Sequence, residues 1–155
     1  MVITMIVEIP KGSRNKYEMD EESGQIYLDR LLFTATRYPA DYGFIPDTLA
    51  ADGDALDAMA LVTEPTFPGC RIRIRPLGVF LMEDQGLADH KILGVPDSDP
   101  LWADAKDLSD VPAHMLRELE HFFAVYKDLE DKKTATIGWQ PLADALTIIE
   151  QARID

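Results

Sequence analysis

Arg71-Ile72-Arg73-Ile74-Arg75-Pro76-Leu77-Gly78-Val79-Phe80-Leu81-Met82 alternates arginine with isoleucine and then turns apolar. Successive side chains of a strand point to opposite faces, so this stretch predicts a long strand with one solvated face. Pro76 and Gly78 predict a bend in it, because proline removes a ladder donor and glycine removes a side chain. Upstream, residues 2–9, Lys16 to Met19 and Gln25 to Leu32 predict three strands, with Glu22-Ser23-Gly24 as the turn before the third. Tyr38 to Gly43 predicts a kinked loop that Phe44-Ile45-Pro46 closes, and Ala58 to Val62 a short buried strand. Downstream, Lys91 to Val95 predicts a strand, and 96–111, rich in Asp, Pro and Ser, a loop. From Pro112 onward Leu116, Leu119, Phe122, Phe123 and Tyr126 recur at helical spacing. Thr134 to Ile137 predicts a last short strand. A second helix is expected from Pro141 to Arg153, with Leu142, Leu146 and Ile149 inward. Many short strands followed by late helices predict a mainly β (α+β) fold, a small closed or half-closed barrel with helices outside. No repeat or linker divides the 155 residues, so a single domain over 1–155 is expected.

Acidic residues outnumber basic ones 28 to 15, for a formal net charge of -13 at pH 7. Such a surface repels nucleic acid and anionic membrane, and neither is expected as a partner. A small anionic substrate meets the same repulsion and needs bound cations or a focused cationic pocket. Cys70 is the one cysteine, which excludes an internal disulfide; after Pro68-Gly69 it reads as a buried or half-buried thiol. Glu8 and Lys11 interrupt any signal-peptide pattern, and the apolar runs are too short to span a bilayer, so a cytoplasmic location is expected.

Asp52-Gly53-Asp54-Ala55-Leu56-Asp57 sets three carboxylates within six residues. A divalent metal, or a proton held at unusual cost, reconciles such charges. An EF-hand loop does not fit: Leu56 stands where a ligand is needed, Gly53 is misplaced, and Thr63 replaces the bidentate glutamate. A solvated turn alone would also favour Asp and Gly, but apolar Phe44-Ile45 and Ala58 to Val62 flank this loop and hold it rigidly. Asp84 and Asp89 follow the long strand, with Lys91 on the same strand face as Asp89, and Glu8 and Glu18 flank the early strands. Two acidic clusters on neighbouring strand ends can converge, and their oxygen ligands suit magnesium or manganese. Lys16, Arg30, Lys91, Lys127 and Lys133, with Tyr38, Tyr42 and Tyr126, supply scattered cations and hydroxyls. The combination points to metal-assisted phosphoryl chemistry.

Glu8-Ile9-Pro10, Asn15-Lys16-Tyr17-Glu18, Asp29-Arg30, Tyr38 to Ile45, Asp52 to Asp57, Asp84 to Lys91 and His121 to Glu130 together resemble one family. It is the soluble, magnesium-dependent, single-domain (family I) inorganic pyrophosphatases, and the resemblance covers nearly the whole chain. The Lys11-Gly12 and Arg14-Asn15 wording and the short tail look like actinobacterial members. The resemblance implies an OB-like five-stranded barrel with two external helices. It implies hydrolysis of pyrophosphate to two phosphates by a metal-activated water in a multi-magnesium site. Three to four Mg2+ per site are implied, with Mn2+ or Zn2+ as substitutes. Asp52, Asp57 and Asp89 would hold the first metal, with Asp57 shared by a second. Asp84 and Asp89 would hold one arriving with substrate, and Glu8 a further one. Lys16, Arg30, Tyr42, Tyr126 and Lys127 would grip phosphate oxygens, and Glu18 and Lys91 are counted with this group. Asp54 would accept the proton of the attacking water; an assignment to Asp89 stays open. A homohexamer is likewise implied, and exposed-looking apolar residues on the Pro112 to Tyr126 helix are compatible with a subunit contact.

Ala55 departs from the Pro or Glu of many relatives. His90 falls on the strand face opposite Asp89 and reads as structural or surface. His121 is expected to pack or bond at a subunit contact, and His114 to be solvated. Two other functions fit these residues less well. A nucleoside polyphosphate hydrolase needs a base or ribose pocket for which no motif is present. An OB-like binding module would lack any use for the cations around the acidic centre, and -13 argues against nucleic acid.

Overall fold

The computed structural model describes residues 1–154. In chain order the strands are β1 (Ile3–Ile9), β2 (Asn15–Met19), β3 (Ile26–Leu31), β4 (Asp41–Ile45), β5 (Leu56–Ala60), β6 (Arg71–Asp84), β7 (Leu87–Ala88), β8 (Lys91–Pro96) and β9 (Thr134–Pro141). The helices are α1 (Ala113–Val125) and α2 (Leu142–Ala152).

The long strand is β6. Ile72 and Ile74 are buried while Arg71 and Arg73 are exposed, and burial becomes continuous from Pro76 to Phe80. Its register against β8 shifts between Pro76 and Gly78, the bend expected there. A side chain at Gly78 would stand 2.8 Å from the Gln140 carbonyl oxygen of β9, so glycine permits this approach. β6 pairs with β1 and β8, β1 with β4, β4 with β5, and β5 runs parallel to β8. These pairings close a ring of five strands, the OB-like barrel that the resemblance implies. β7 and β9 extend β6, and β2 and β3 form a separate hairpin outside the ring. No helix of the described residues is long and apolar enough to cross a membrane.

Several expectations change. Tyr38 to Gly43 is not all loop: β4 begins at Asp41. Its glycine reads as a breaker, yet a Cβ at Gly43 would lie 1.8 Å from the Ile6 carbonyl oxygen, so glycine is what brings β4 against β1. The loop's end is fixed by Asp41, a fully buried carboxylate that accepts from the Lys11 N–H (2.8 Å) and the Thr66 N–H (3.1 Å). β5 starts two residues before Ala58, which puts Asp57 inside a strand. β9 runs on past Ile137 to Pro141, because Gly138 at φ 143° carries a bulge opposite Leu81 and Met82 and does not end the strand. The stretch 96–111 holds two 3-10 turns, Pro100–Trp102 and Leu108–Asp110, capped by Asp99 and Asp107.

Leu119, Phe122 and Phe123 of α1 pack with Phe80, Leu77 and Leu93 of the barrel. The apolar stripe of α1 therefore serves this chain's own core and is not left over for another subunit. The inward residues of α2 are Ala145, Ile149 and Ala152, packed with Met5, Val7, Ile74 and Ile92. Leu142 and Leu146 are only half-buried, so the buried stripe is rotated toward the small alanines.

Candidate functional site

One cavity, lined on its acidic side by Glu8, Asp52, Asp54, Asp57, Asp84 and Asp89, opens where several elements end together. β1 supplies Glu8, and β5 supplies Asp57 at its second position. Asp84 closes β6, and Asp89 sits in the turn before β8, held by its N–H donating to the Met82 carbonyl (2.9 Å). Asp52 and Asp54 lie in the loop before β5, where the Asp54 N–H donates to Asp52 Oδ1 at 3.1 Å. Lys16 and Glu18 of β2, Tyr42 of β4, and Tyr126 and Lys127 just beyond α1 line the same cavity. Thus eleven of the thirteen residues singled out in the sequence meet here; Arg30 and Lys91 do not line the cavity.

Lys91 is behind the wall, fully buried. Parallel pairing of β5 with β8 sets Asp57 beside it. Its ammonium lies 3.0 Å from Asp57 Oδ2 and 3.1 Å from Asp89 Oδ1, and donates to the Tyr42 hydroxyl at 2.8 Å. That hydroxyl in turn donates to Asp57 Oδ2 at 2.9 Å. Burial disfavours the ammonium, but the two carboxylates more than offset it and raise its pKa. Burial pushes the Asp57 carboxyl up to about 7 against the pull of Lys91, and Asp89 beside it adds to the rise. Asp89 is held low: burial opposes its charge, but Lys91, the hydrogen bond with Asp57 and Lys127 together outweigh burial. Burial, then nearby carboxylates, raise the Tyr42 and Tyr126 hydroxyls well above their usual value, so both remain donors.

Around this centre, Lys127 Nζ lies 2.5 Å from Asp84 Oδ2, while Asp84 Oδ1 is buried without a partner. Glu8 accepts the Met19 N–H at 2.9 Å, tying β1 to β2; burial raises its pKa despite that bond. Burial likewise raises Asp52, against the Asp54 N–H. Lys16 Nζ is 3.4 Å from Asp29 Oδ2, and Arg30 contacts both Asp29 and Glu130.

Among the described residues no three acidic, histidine or cysteine side chains stand together at metal-holding distance. The acids are instead held by ammonium groups, Asp57 and Asp89 by Lys91 and Asp84 by Lys127. The donor set still fits a hard divalent cation: it is all oxygen, it shares one cavity, and one buried Asp84 oxygen lacks a partner. His90 points away, lining a second cavity with Leu49, Leu56 and Ile148 behind the acidic loop, as its opposite-face placement implied. His114 and His121 are exposed, as is Lys133. Tyr38, one of the tyrosines expected to supply hydroxyls, lines the site, as does Tyr17, which the sequence marks only as part of a motif. Glu130, whose side chain is 3% exposed, carried no role in the sequence reading beyond closing the His121 to Glu130 segment.

Residues 5–154 match the profile of the family described as inorganic pyrophosphatase. The inorganic pyrophosphatase of Methanosarcina acetivorans is 51% identical over 152 residues, covering 98% of this chain and 90% of the relative. That of Leifsonia xyli is 52% identical over 147 residues, covering 94% and 90%. The crystal structure of the Thermus thermophilus inorganic pyrophosphatase superposes with a TM-score of 0.94 at 43% identity, covering 97% of this chain and 88% of the other.

Proposed function

This chain belongs to the inorganic pyrophosphatase family and hydrolyses pyrophosphate to two phosphates, and we propose that it does so with magnesium in the acidic cavity. The observation that carries this reading is the convergence of Glu8, Asp52, Asp57, Asp84 and Asp89 with Lys16, Tyr42, Tyr126 and Lys127 on one cavity. Asp52, Asp57 and Asp89 would hold one Mg2+, with Asp57 available to a second; Asp84 and Asp89 would hold a third, and Glu8 a fourth. Mn2+ or Zn2+ substitutes. Bound there, the ions neutralise substrate charge and make water acidic enough to deprotonate near neutral pH.

The chain's own groups do the rest. Lys16, Lys127 and Arg30 bind phosphate oxygens, arginine through parallel donors and lysine as a mobile point charge. Tyr42 and Tyr126, kept protonated by burial and acidic neighbours, donate hydroxyl hydrogen bonds without adding charge. Asp54, at the cavity wall, accepts the proton of the attacking water, with Asp89 as the alternative acceptor. Lys91 holds Asp57 and Asp89 in register and balances their charge. Glu18, on the β2 side of the cavity, belongs to the substrate-binding group. The whole acts as a cytoplasmic homohexamer; exposed Leu101 and Leu129 are among the apolar residues available for contacts.

Phosphate release from pyrophosphate and from ATP, each across a magnesium titration and with chelator, tests the reading. Chelator-sensitive turnover of pyrophosphate without comparable turnover of ATP is expected. Metal-independent turnover, or equal use of ATP, overturns it.

A further inference from the structure

The cavity is built from two parts that do not share a sheet. The hairpin β2–β3, which carries Lys16, Glu18 and Arg30, lies outside the closed ring. Tyr126 and Lys127 follow α1, and a 3-10 turn, Asp128–Glu130, comes directly after them. One ion pair joins these parts: Arg30 Nη2 to Glu130 Oε1, 2.8 Å.

We propose that Glu130 is a positioning residue for pyrophosphate hydrolysis, holding the Arg30 guanidinium against the post-α1 segment so that its other edge serves the substrate. This rests on the role of Arg30 in the reading above.

Three observations carry it. Glu130 is the more enclosed partner, its side chain 3% exposed against 22% for Arg30, so its charge has Arg30 in place of water. Arg30 Nε and Glu130 Oε2 are both buried without a partner. Paired with each other they would complete a two-pronged contact beside Nη2 and Oε1, the geometry arginine and carboxylate favour. Finally, Arg30 Nη1 is left on the Asp29 side, and Asp29 Oδ2 is also the partner of Lys16, which lines the cavity. Glu130 therefore fixes the Nη2 edge of the guanidinium, and Asp29, shared with the cavity-lining Lys16, holds the Nη1 edge. Burial disfavours the guanidinium charge, but the hydrogen bonds and charges of Glu130 and Asp29 together more than offset it and raise its pKa.

The test is a double-mutant cycle on the full chain with saturating magnesium, reading kcat and KM for pyrophosphate. Glu130→Gln keeps the shape and removes the charge. It should lower kcat/KM about tenfold, the size of a contact-pair coupling. In an Arg30→Lys background the same change should cost less than about twofold, because the carboxylate acts only through the guanidinium. Glu130→Asp should recover part of the loss. An equal cost in both backgrounds, or no cost in the first, overturns the proposal. Thermal midpoints accompany each variant. If Glu130→Gln does not fold, the cycle is run with Glu130→Asp; if neither folds, Glu130 is a folding determinant only and the proposal falls. A wild-type chain without pyrophosphate turnover would sink the underlying reading, whereas an active wild type with no coupling sinks this inference alone.

Discussion

Asp57 shows how one side chain serves opposite ends. Its carboxyl is raised to about 7, above an unfolded aspartate near about 4. The folded chain thus holds this proton more tightly than the unfolded chain. The stability Asp57 contributes is fully present below about pH 4 and is lost as pH rises through about 7. Asparagine resembles the protonated form and never ionises. In the metal-free protein, Asp57→Asn should therefore raise stability at pH 8, on the order of 2–4 kcal/mol, and leave it unchanged near about pH 4. Urea denaturation in chelator at the two pH values checks this. The same substitution should lower kcat for pyrophosphate about a hundredfold or more, whereas Asp47→Asn should stay within about twofold. Asp47 is exposed, sits at φ 60° and does not line the cavity, and asparagine tolerates that conformation. Equal activities of the two variants would remove Asp57 from the metal assignment. Lys91 predicts the opposite balance. Lys91→Met leaves Asp57 and Asp89 without their buried partner, and should destabilise the metal-free protein at pH 8 by about 3–5 kcal/mol in the same assay. At this scale the residue types were legible from the sequence, because carboxylates crowded within a few positions demand a cation. Strand alternation also put Lys91 on the side of Asp89. What one strand cannot show is that a parallel neighbour brings Asp57 to the same ammonium, or that the ammonium is enclosed.

Elements decide which side chains arrive. β6 was readable because its alternation and its bend are local properties of the chain. β4 was not, because its glycine has two physical meanings: a breaker by propensity, and a permit for close backbone approach once β1 lies alongside. Only the pairing partner distinguishes them. Gly43→Ala tests the second meaning. The added carbon would meet the Ile6 carbonyl oxygen at 1.8 Å and the Ile6 carbonyl carbon at 2.8 Å, both backbone atoms that no rotamer can move. The strand must shift, at a cost of about 3 kcal/mol or more. Chemical denaturation should show it, and lost activity should follow, since Tyr42 is the adjacent residue on β4. A variant as stable as wild type would mean that β4 and β1 are farther apart than described. β9 misled in the same way, through a bulge glycine that sequence alone reads as a stop. The α1 stripe was found correctly, but its direction was not: periodicity gives a face, and only packing on Phe80 says what that face meets.

At the scale of the molecule, the net charge of -13 and the acid-lined cavity make one argument. Each carboxylate brought into the cavity adds repulsion that Lys91 and Lys127 offset only in part. A cation that binds the folded chain alone should stabilise it by mass action, about 2.7 kcal/mol at a hundredfold excess over its Kd. For a chain of 155 residues that corresponds to a rise in Tm of roughly 5–10 °C. Screening of the diffuse surface charge would also raise Tm, but any salt supplies it. The two are separated by scanning Tm in magnesium and in sodium chloride of matched ionic strength, for wild type and for Asp57→Asn. Magnesium should exceed sodium in the wild type, and most of that excess should vanish in the variant, although its baseline in chelator is higher. A magnesium shift no larger than the sodium shift would mean that the acids respond to the surrounding salt as a charge cloud and do not gather a metal.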